Sequence, residues 1–373
     1  MFRKLVKYGF LIFSVSFALM QSLCRLIPSL NPFEFSIVGI MPYIVPILTA
    51  INIFFIFFWL FAKKYYFILI PVVAIFLSWN VLSVLIAGHP FSSSSKNDHK
   101  HAFRIMSYNV RLLDLYNWSG RKETRSEMLS FFKQENADVL CLQEFYSGND
   151  SVGKNNIKDI QAQGYPYVAS CVMNENKRGI WGSVVFSKFP IVTKKNHDID
   201  VEGGNLLQEV GIKKGSDTFT VFNVHLKSNK FTSSESDLVG KKELPEWDEK
   251  TKAQTKSIYD KLENSTKNRG LEAKIVGDKI QKNKYPVIVC GDLNDIPGSY
   301  AYFKLRTNLK DLFLEKGFGL GATYNKVIPV LRIDYIFFDP RFNVLDYQKP
   351  NEEYSDHFPV IGQFELENNN KTL

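Results

Sequence analysis

Between Leu5 and Ala87 this 373-residue chain is dominated by Phe, Ile, Leu and Val, whereas from Ser92 onward charged and polar residues are interspersed throughout. That break limits what each part can fold into: the first part has too little polar surface for water, the second enough for an ordinary solvated domain. Three apolar stretches stand out, roughly Phe10 to Leu26, Phe35 to Phe61 and Tyr65 to Ala87. Each is about long enough to cross a hydrocarbon layer, which takes ~20 helical residues. Pro42 and Pro46 fall inside the second and predict a kink or a split there. Arg3, Lys4 and Lys7 ahead of the first stretch also fit a cleaved signal peptide, but two more apolar stretches come after it and no clean cleavage site does. A wholly buried soluble helical unit is disfavoured by the length of the charge-free runs.

Lys63 and Lys64 lie between the second and third stretches, while the first connection carries only Arg25. The positive-inside bias therefore places the N-terminus in the cytoplasm. Three crossings then put everything past Ala87 outside, in a periplasmic or extracellular space; a re-entrant second stretch would invert this. The formal net charge of +8 follows the same partition, since residues 1–90 hold +5 and leave only +3 for the rest. Most of the excess is thus topological and says little about a polyanionic partner. Cys24, Cys141, Cys171 and Cys290 have no metal-type spacing. Two of them sit in apolar strand patterns, and a disulfide in an oxidising compartment stays open.

The sequence divides into residues 1–90 as a membrane anchor of about three helices, 91–102 as a polar Ser-rich linker, and 103–368 as a soluble domain. Within the last, short apolar runs end repeatedly in polar residues. Phe103 to Val110 leads through Asn109, Asp138 to Leu142 into Glu144, and Thr218 to Val224 into His225. Val287 to Cys290 runs into Gly291-Asp292-Leu293-Asn294-Asp295, Ile333 to Phe338 contains Asp334, and Asp356 and His357 precede Phe358 to Phe364. Gly182 to Phe186 reads as a further strand. Arg121 to Glu135 and most of Lys252 to Lys282 read as helices, and Lys230 to Thr251 as a long unpatterned loop. Strand runs with helices between them predict two packed sheets with helices outside.

Taken together, four carboxylates and two amides suit a hard, oxygen-loving cation such as magnesium or manganese. Two histidines add proton transfer and hydrogen bonds to phosphate oxygens. The segments Ile105 to Val110 (IMSYNV), Asp138 to Glu144 (DVLCLQE), Phe222 to Ser228 (FNVHLKS), Val287 to Pro297 (VIVCGDLNDIP), Arg332 to Phe337 (RIDYIF) and Ser355 to Val360 (SDHFPV) resemble the endonuclease/exonuclease/phosphatase superfamily, in order and over about Phe103 to Leu366.

The resemblance implies an α+β fold, a four-layer α/β/β/α sandwich of the DNase I type, preceded here by an all-helical transmembrane segment. It implies Glu144 as principal metal ligand with Asn109 and Asp356 nearby, and Asp292 as the group that orients or deprotonates water, assisted by Asn294. His357 would be held by Asp334 and act on the phosphate, with His225 across from it. Asp295 and Ser355 would be structural support. The implied activity is magnesium- or manganese-dependent hydrolysis of a phosphodiester or phosphomonoester. The substrate would be a nucleic acid or a lipid head group, so a nuclease, a phospholipid or sphingomyelin-type phosphodiesterase and a phosphoinositide phosphatase all stay open. Other readings remain for single residues: Asp334 could pair with Arg332, and Arg178 could line the phosphate site or be a solvated charge. No acidic partner for His225 is evident. A non-catalytic tethered binding protein is disfavoured because Glu144, Asp292 and His357 are all present, and a channel role because no ionisable residue lies between Phe35 and Phe61.

Overall fold

The computed structural model describes residues 2–90, 101–149, 154–199, 206–240, 246–326 and 331–366. Most of the expected linker, the centre of the 230–251 stretch and the last residues of the expected domain lie outside them. The N-terminal part is a helical bundle of α1 (Phe2–Leu23), α2 (Ile37–Phe61), α3 (Tyr65–Leu77) and the single turn α4 (Trp79–Leu82).

After the bundle come β1 (Ala87–Gly88), β2 (Phe103–Asn109), α5 (Thr124–Glu135), β3 (Val139–Gly148), α6 (Asn156–Gln161), β4 (Tyr167–Asn176), β5 (Gly179–Ser187), β6 (Ile191–Asp198), β7 (Leu206–Lys214) and β8 (Asp217–His225). The chain continues with α7 (Ser233–Gly240), α8 (Glu249–Lys282), β9 (Val287–Asp292), α9 (Tyr300–Arg306), β10 (Lys310–Asp311), α10 (Leu312–Lys316), β11 (Phe318–Gly319), β12 (Asp334–Phe338), β13 (Phe342–Gln348) and β14 (Val360–Leu366).

The bundle runs up, down and up. Trp59 donates to Ser14 Oγ at 3.2 Å and Phe10 stacks on Phe58, so the end of α2 lies beside the start of α1. Gln21 donates to Ser78 Oγ at 2.7 Å and Lys7 lies over the Phe67 ring, so α1 and α3 run side by side in the same direction. Two helices, Val6–Leu26 and Ile37–Phe61, are long and apolar enough to cross a membrane. The third predicted span is not one such helix. Only 13 residues, Tyr65–Leu77, form α3, and the helix breaks at Ser78, where φ and ψ leave the helical region. Beyond α4 the chain joins the sandwich: Val84 is buried among Val224, Leu226 and Leu293, its carbonyl accepts from Arg332 Nη2 at 2.7 Å, and β1 pairs with β11. Helix α2, by contrast, runs without a break through Pro42 and Pro46.

Two six-stranded sheets make up the rest, one in the order β10-β12-β9-β8-β7-β6 and the other β13-β14-β2-β3-β5-β4. The central strands alternate between the inter-sheet core, with Ile105, Cys141, Val221, Cys290 and Ile336, and an outer face. The outer face of the first sheet carries α8 and α9 through Val276, Ile280 and Tyr302. That of the second carries α5 and α6 through Met128, Phe132 and Ile160. This is the expected α/β/β/α layering. A polar bridge crosses the otherwise apolar centre: Gln143 donates to Asn223 Oδ1 at 2.7 Å, Asn223 to Gln208, and Gln208 to the Ala169 carbonyl. Each of these three amides donates to the next acceptor, so the chain ties the two sheets together in one register.

Strands β4, β6, β7 and β13 were not read from the sequence, and three of them are sheet edges. An edge strand is solvated on one side, so its side chains need not alternate cleanly; β6 (IVTKKNHD) is mostly exposed. The stretch Lys230 to Thr251 is not all loop either, since it contains α7 and the start of α8, capped by Asp248 accepting from the Thr251 N–H. All four cysteines are buried free thiols.

Candidate active site

Strand register assembles the site. In the first sheet β8 runs parallel to β9 and β9 antiparallel to β12, and the paired residues at one end are His225 with Asp292 and Asp292 with Asp334. Three chemistry-bearing residues therefore stand side by side, because residues opposite one another across strands share a face. From the second sheet β2 delivers Asn109 to the same end, and His357 comes from the segment leading into β14. Asn109 Nδ2 lies 3.1 Å from Asp292 Oδ2 and 3.2 Å from Glu144 Oε1, tying the two sheets together across the site.

Glu144 reaches the cluster by an irregularity. Strand β3 does not end at Glu144, as the sequence pattern suggests, but continues to Gly148. Its pairing with β5 shifts register between Leu142 and Phe145, and Glu144 there has a φ of 46°. A left-handed residue in a bulge turns its side chain out of the normal alternation. The Asp292-x-Asn294 pair also meets by a turn rather than by extended spacing. Asn294 has a φ of 51°, its N–H donates to Asp292 Oδ1 at 2.8 Å, and its amide donates to the Leu226 carbonyl at 3.0 Å and Asp292 Oδ2 at 3.3 Å.

The two histidines differ. His357 Nδ1 contacts Asp334 Oδ2 at 2.9 Å, and both are buried. Burial by itself disfavours the imidazolium, but the carboxylates of Asp334, Asp292 and Asp356 outweigh it and raise His357 to about 10. Burial pushes the Asp334 carboxyl up to about 6, so at neutral pH the two form an ion pair. With Nδ1 engaged, Nε2 remains 3.7 Å from Asp292 Oδ2, too far for a hydrogen bond and free to meet a ligand. His225 has no such partner. Its Nε2 is buried without a hydrogen bond, 3.5 Å from Glu144 Oε1 and 3.8 Å from Asp292 Oδ2.

Asp356 lies 3.3 Å from the Arg111 guanidinium, and Ser355 Oγ donates to the Asn109 carbonyl at 2.8 Å. Asp334 pairs with His357 and not with Arg332, whose guanidinium goes to Asp311 at 2.7 Å. Asp295 faces away from the cluster, where buried Arg269 reaches it at 3.3 Å and Tyr43 of α2 at 3.4 Å. Arg178 lies in the β4 to β5 turn, away from the pocket.

All eight residues read from the sequence therefore meet at one end of the sandwich. Sequence pattern missed Arg111, two residues after Asn109 in a run of left-handed backbone, where it stacks on Trp118. It also missed Tyr324, whose ring lies edge-on to His357 at 5.1 Å. Neither sits in a strand pattern, so periodicity carries no signal for them. A pocket of about 640 Å³ opens at this end, lined on the acidic side by Arg111, Glu144, Asp292, Asn294, Tyr324, Asp356 and His357.

The donor set fits a hard divalent cation. Glu144, Asp292, Asp334 and Asp356 converge, and the bases near them are Arg111 and two imidazoles. Glu144 itself meets no lysine or arginine among the described residues. An anionic phosphate would be repelled from such an acidic cluster without a cation to offset it. The tightest acidic group, Asp292, Asp334 and His357, is a poorer metal site, because Asp334 and His357 Nδ1 already engage each other. The half-exposed oxygens of Glu144, beside Asn109 and Asp356, are the freer ligands.

Comparison with known proteins agrees with this geometry. No curated protein matches the chain. Among solved structures, an endonuclease/exonuclease/phosphatase from Beutenbergia cavernae DSM 12333 aligns with a TM-score of 0.50 and 18% identity, covering 71% of this chain and 72% of that one. The human Nocturnin catalytic domain with bound sulfate anion aligns equally, over 71% of this chain and 94% of its own. ANGEL2, a 2',3'-cyclic phosphatase in complex with adenosine-2',3'-vanadate, aligns at 17% identity and a TM-score of 0.50, over 72% and 96%. At such identities the likeness shows the fold, a DNase I-like sandwich. Residues 3–85 match a domain of unknown function (DUF8431). Residues 77–357 match the Endonuclease/Exonuclease/phosphatase family, so the chain belongs to that family, whose members are hydrolases of phosphate esters.

Proposed function

We propose that this protein is a membrane-anchored, divalent-metal-dependent phosphoesterase that hydrolyses a phosphate ester by in-line attack of water. The observation that carries the reading is the flanking of Asp292 by two unlike imidazoles: His357, charged and fixed by Asp334, and His225, with a buried unpartnered Nε2. A buried polar atom without a partner is costly unless a ligand supplies one.

Asp292 is oriented from three sides, by the Asn294 N–H, the Asn294 amide and the Asn109 amide. Its carboxylate is thereby directed to accept a proton from an attacking water. The free Nε2–H of His357 donates to a non-bridging phosphate oxygen, where negative charge accumulates in the transition state. His225 Nε2 contacts the phosphate from the other side. Glu144, with Asn109 and Asp356, would hold the magnesium or manganese, which when bound supplies charge neutralisation at the phosphate and a lowered pKa for a bound oxygen.

Membrane anchoring is supported by where the apolar side chains of the bundle point. Ile12, Phe13 and Leu19 on α1 and Phe54 and Phe57 on α2 are more than half exposed, unlike the side chains of a core helix in a soluble protein. Lys7, Lys63 and Lys64 gather at the end of the bundle away from the sandwich, which favours a cytoplasmic N-terminus and an external catalytic domain.

The test uses the purified full chain with a chromogenic phosphodiester and phosphomonoester, with magnesium, with manganese and with chelator. Turnover that needs the metal and is lost in Asp292→Asn is expected. Turnover indifferent to both would end the reading. A reporter fused after Leu373 checks orientation, and a cytoplasmic signal would reverse it.

A further inference from the structure

The pocket that holds the acidic cluster has a second wall of different character. Past Asn294 it is lined by Tyr43, Phe231, Val239, Ile258, Leu262 and Ile296. Ile258 and Leu262 are four residues apart on α8, which stacks them on one helix face. Val239 comes from α7, packed alongside, and Ile296 follows the Asp292 to Asp295 turn. None of the six is charged. A nucleic acid would call for a groove of cations along its backbone. Apart from the His357 imidazolium at the acidic end, the described lining offers two cations, Lys230 and Arg111, and Arg111 is occupied by Asp356.

Position adds to composition. Tyr43 belongs to the second turn of α2, a membrane-length helix, at the end that rests on the sandwich. There Gly39 lies directly against Thr266 of α8, with no room for a Cβ, and Tyr43 donates to Asp295 at 3.4 Å. The same segment that enters the apolar bundle thus forms part of the pocket wall.

Resting on the phosphoesterase reading, we infer that the substrate is an amphiphilic phosphate ester drawn from the membrane surface. Its phosphate sits at the Glu144, Asp292 and His357 end, and its hydrocarbon chain lies along Tyr43, Val239, Ile258 and Leu262. Burying each added methylene against that wall strengthens binding until the wall is filled.

The test is a series of alkyl 4-nitrophenyl phosphate diesters, methyl to dodecyl, presented to the full chain in mixed micelles at fixed mole fraction. All release the same nitrophenol, so only the chain varies. Expected is a kcat/KM at least about tenfold higher for dodecyl than for butyl. Micelle partitioning alone could produce such a trend, so the ratio is measured again in Ile258→Ala/Leu262→Ala, and in Leu262→Ala alone should the double variant be unstable. Both keep the bundle and favour helix. A dodecyl-to-butyl ratio that falls several-fold in the variants supports the wall. A ratio that stays at the wild-type value, no chain dependence at all, or faster turnover of single-stranded DNA or RNA than of any dodecyl ester overturns it. Absence of turnover on every ester, equal to Asp292→Asn, would instead remove the phosphoesterase reading beneath it.

Discussion

The two sides of the site are built on opposite principles. On the His357 side the supporting groups are already paired, and only the outward Nε2 is left for a ligand: Asp334 holds Nδ1, Arg332 is kept to Asp311, and Thr323 Oγ1 accepts the backbone N–H of Asp334. On the His225 side Glu144 is half-exposed and set on a left-handed bulge, and the imidazole has a buried nitrogen with nothing to bond. One side is organised before any ligand arrives; the other is completed by it. The difference teaches which residues should matter to folding and which to turnover alone.

The comparison is broken most directly at Asp292, where the sides meet. Asp292→Asn keeps the shape and removes the proposed base, and is expected to lower kcat/KM on a chromogenic diester by at least ~10³-fold. A loss below tenfold would mean the proton goes elsewhere. Glu144→Gln touches the open side only. It should raise the magnesium concentration for half-maximal turnover by at least roughly tenfold, with the thermal midpoint unchanged. A midpoint that falls instead would put Glu144 in the folding framework.

On the organised side the expected effect is on stability. Asp334→Asn leaves a buried imidazolium short of its counter-charge and should cost roughly 2–3 kcal/mol in metal-free denaturant titrations at pH 7. Protonation gives the same side a pH signature. His357 is raised from 6.5 to about 10 in the folded protein. It binds more protons folded than unfolded between those limits, so its contribution is complete below pH 6.5 and is lost as pH rises to 10. Metal-free stability should therefore decline over that window, and His357→Gln should flatten the decline. The smallest effect is expected at His225. His225→Leu removes an unsatisfied buried nitrogen and should change stability by less than about 1 kcal/mol, in either direction, while turnover falls. A large destabilisation there would erase the contrast.

Much of this site was legible before the structure because strands end where chemistry begins. His225, Asp292, Asp334 and Asn109 each close or open an apolar run, and such runs register against one another in only a few ways. Arg111 and Tyr324 were not legible, since each lies in irregular chain whose position depends on what it packs against. The edge strands escaped for a related reason: β6 is mostly solvated and carries no alternation to read.

The third apolar stretch shows how far composition reaches. Tyr65 to Ala87 is mostly apolar, yet α3 stops at Leu77 and the chain beyond α4 enters the sandwich, where Arg332 binds the Val84 carbonyl. Hydrophobicity records that a segment leaves water, not whether lipid or a protein core receives it. The layered fold and the gathering of the eight candidate residues at one end of it were legible in the sequence, because periodicity and strand-end polarity are local properties. The bulge that turns Glu144 inward, the unequal partners of His225 and His357, and the contact of Tyr43 with Asp295 were decided only in three dimensions. Each depends on a residue more than 20 positions away along the chain, or on a register that no local pattern encodes.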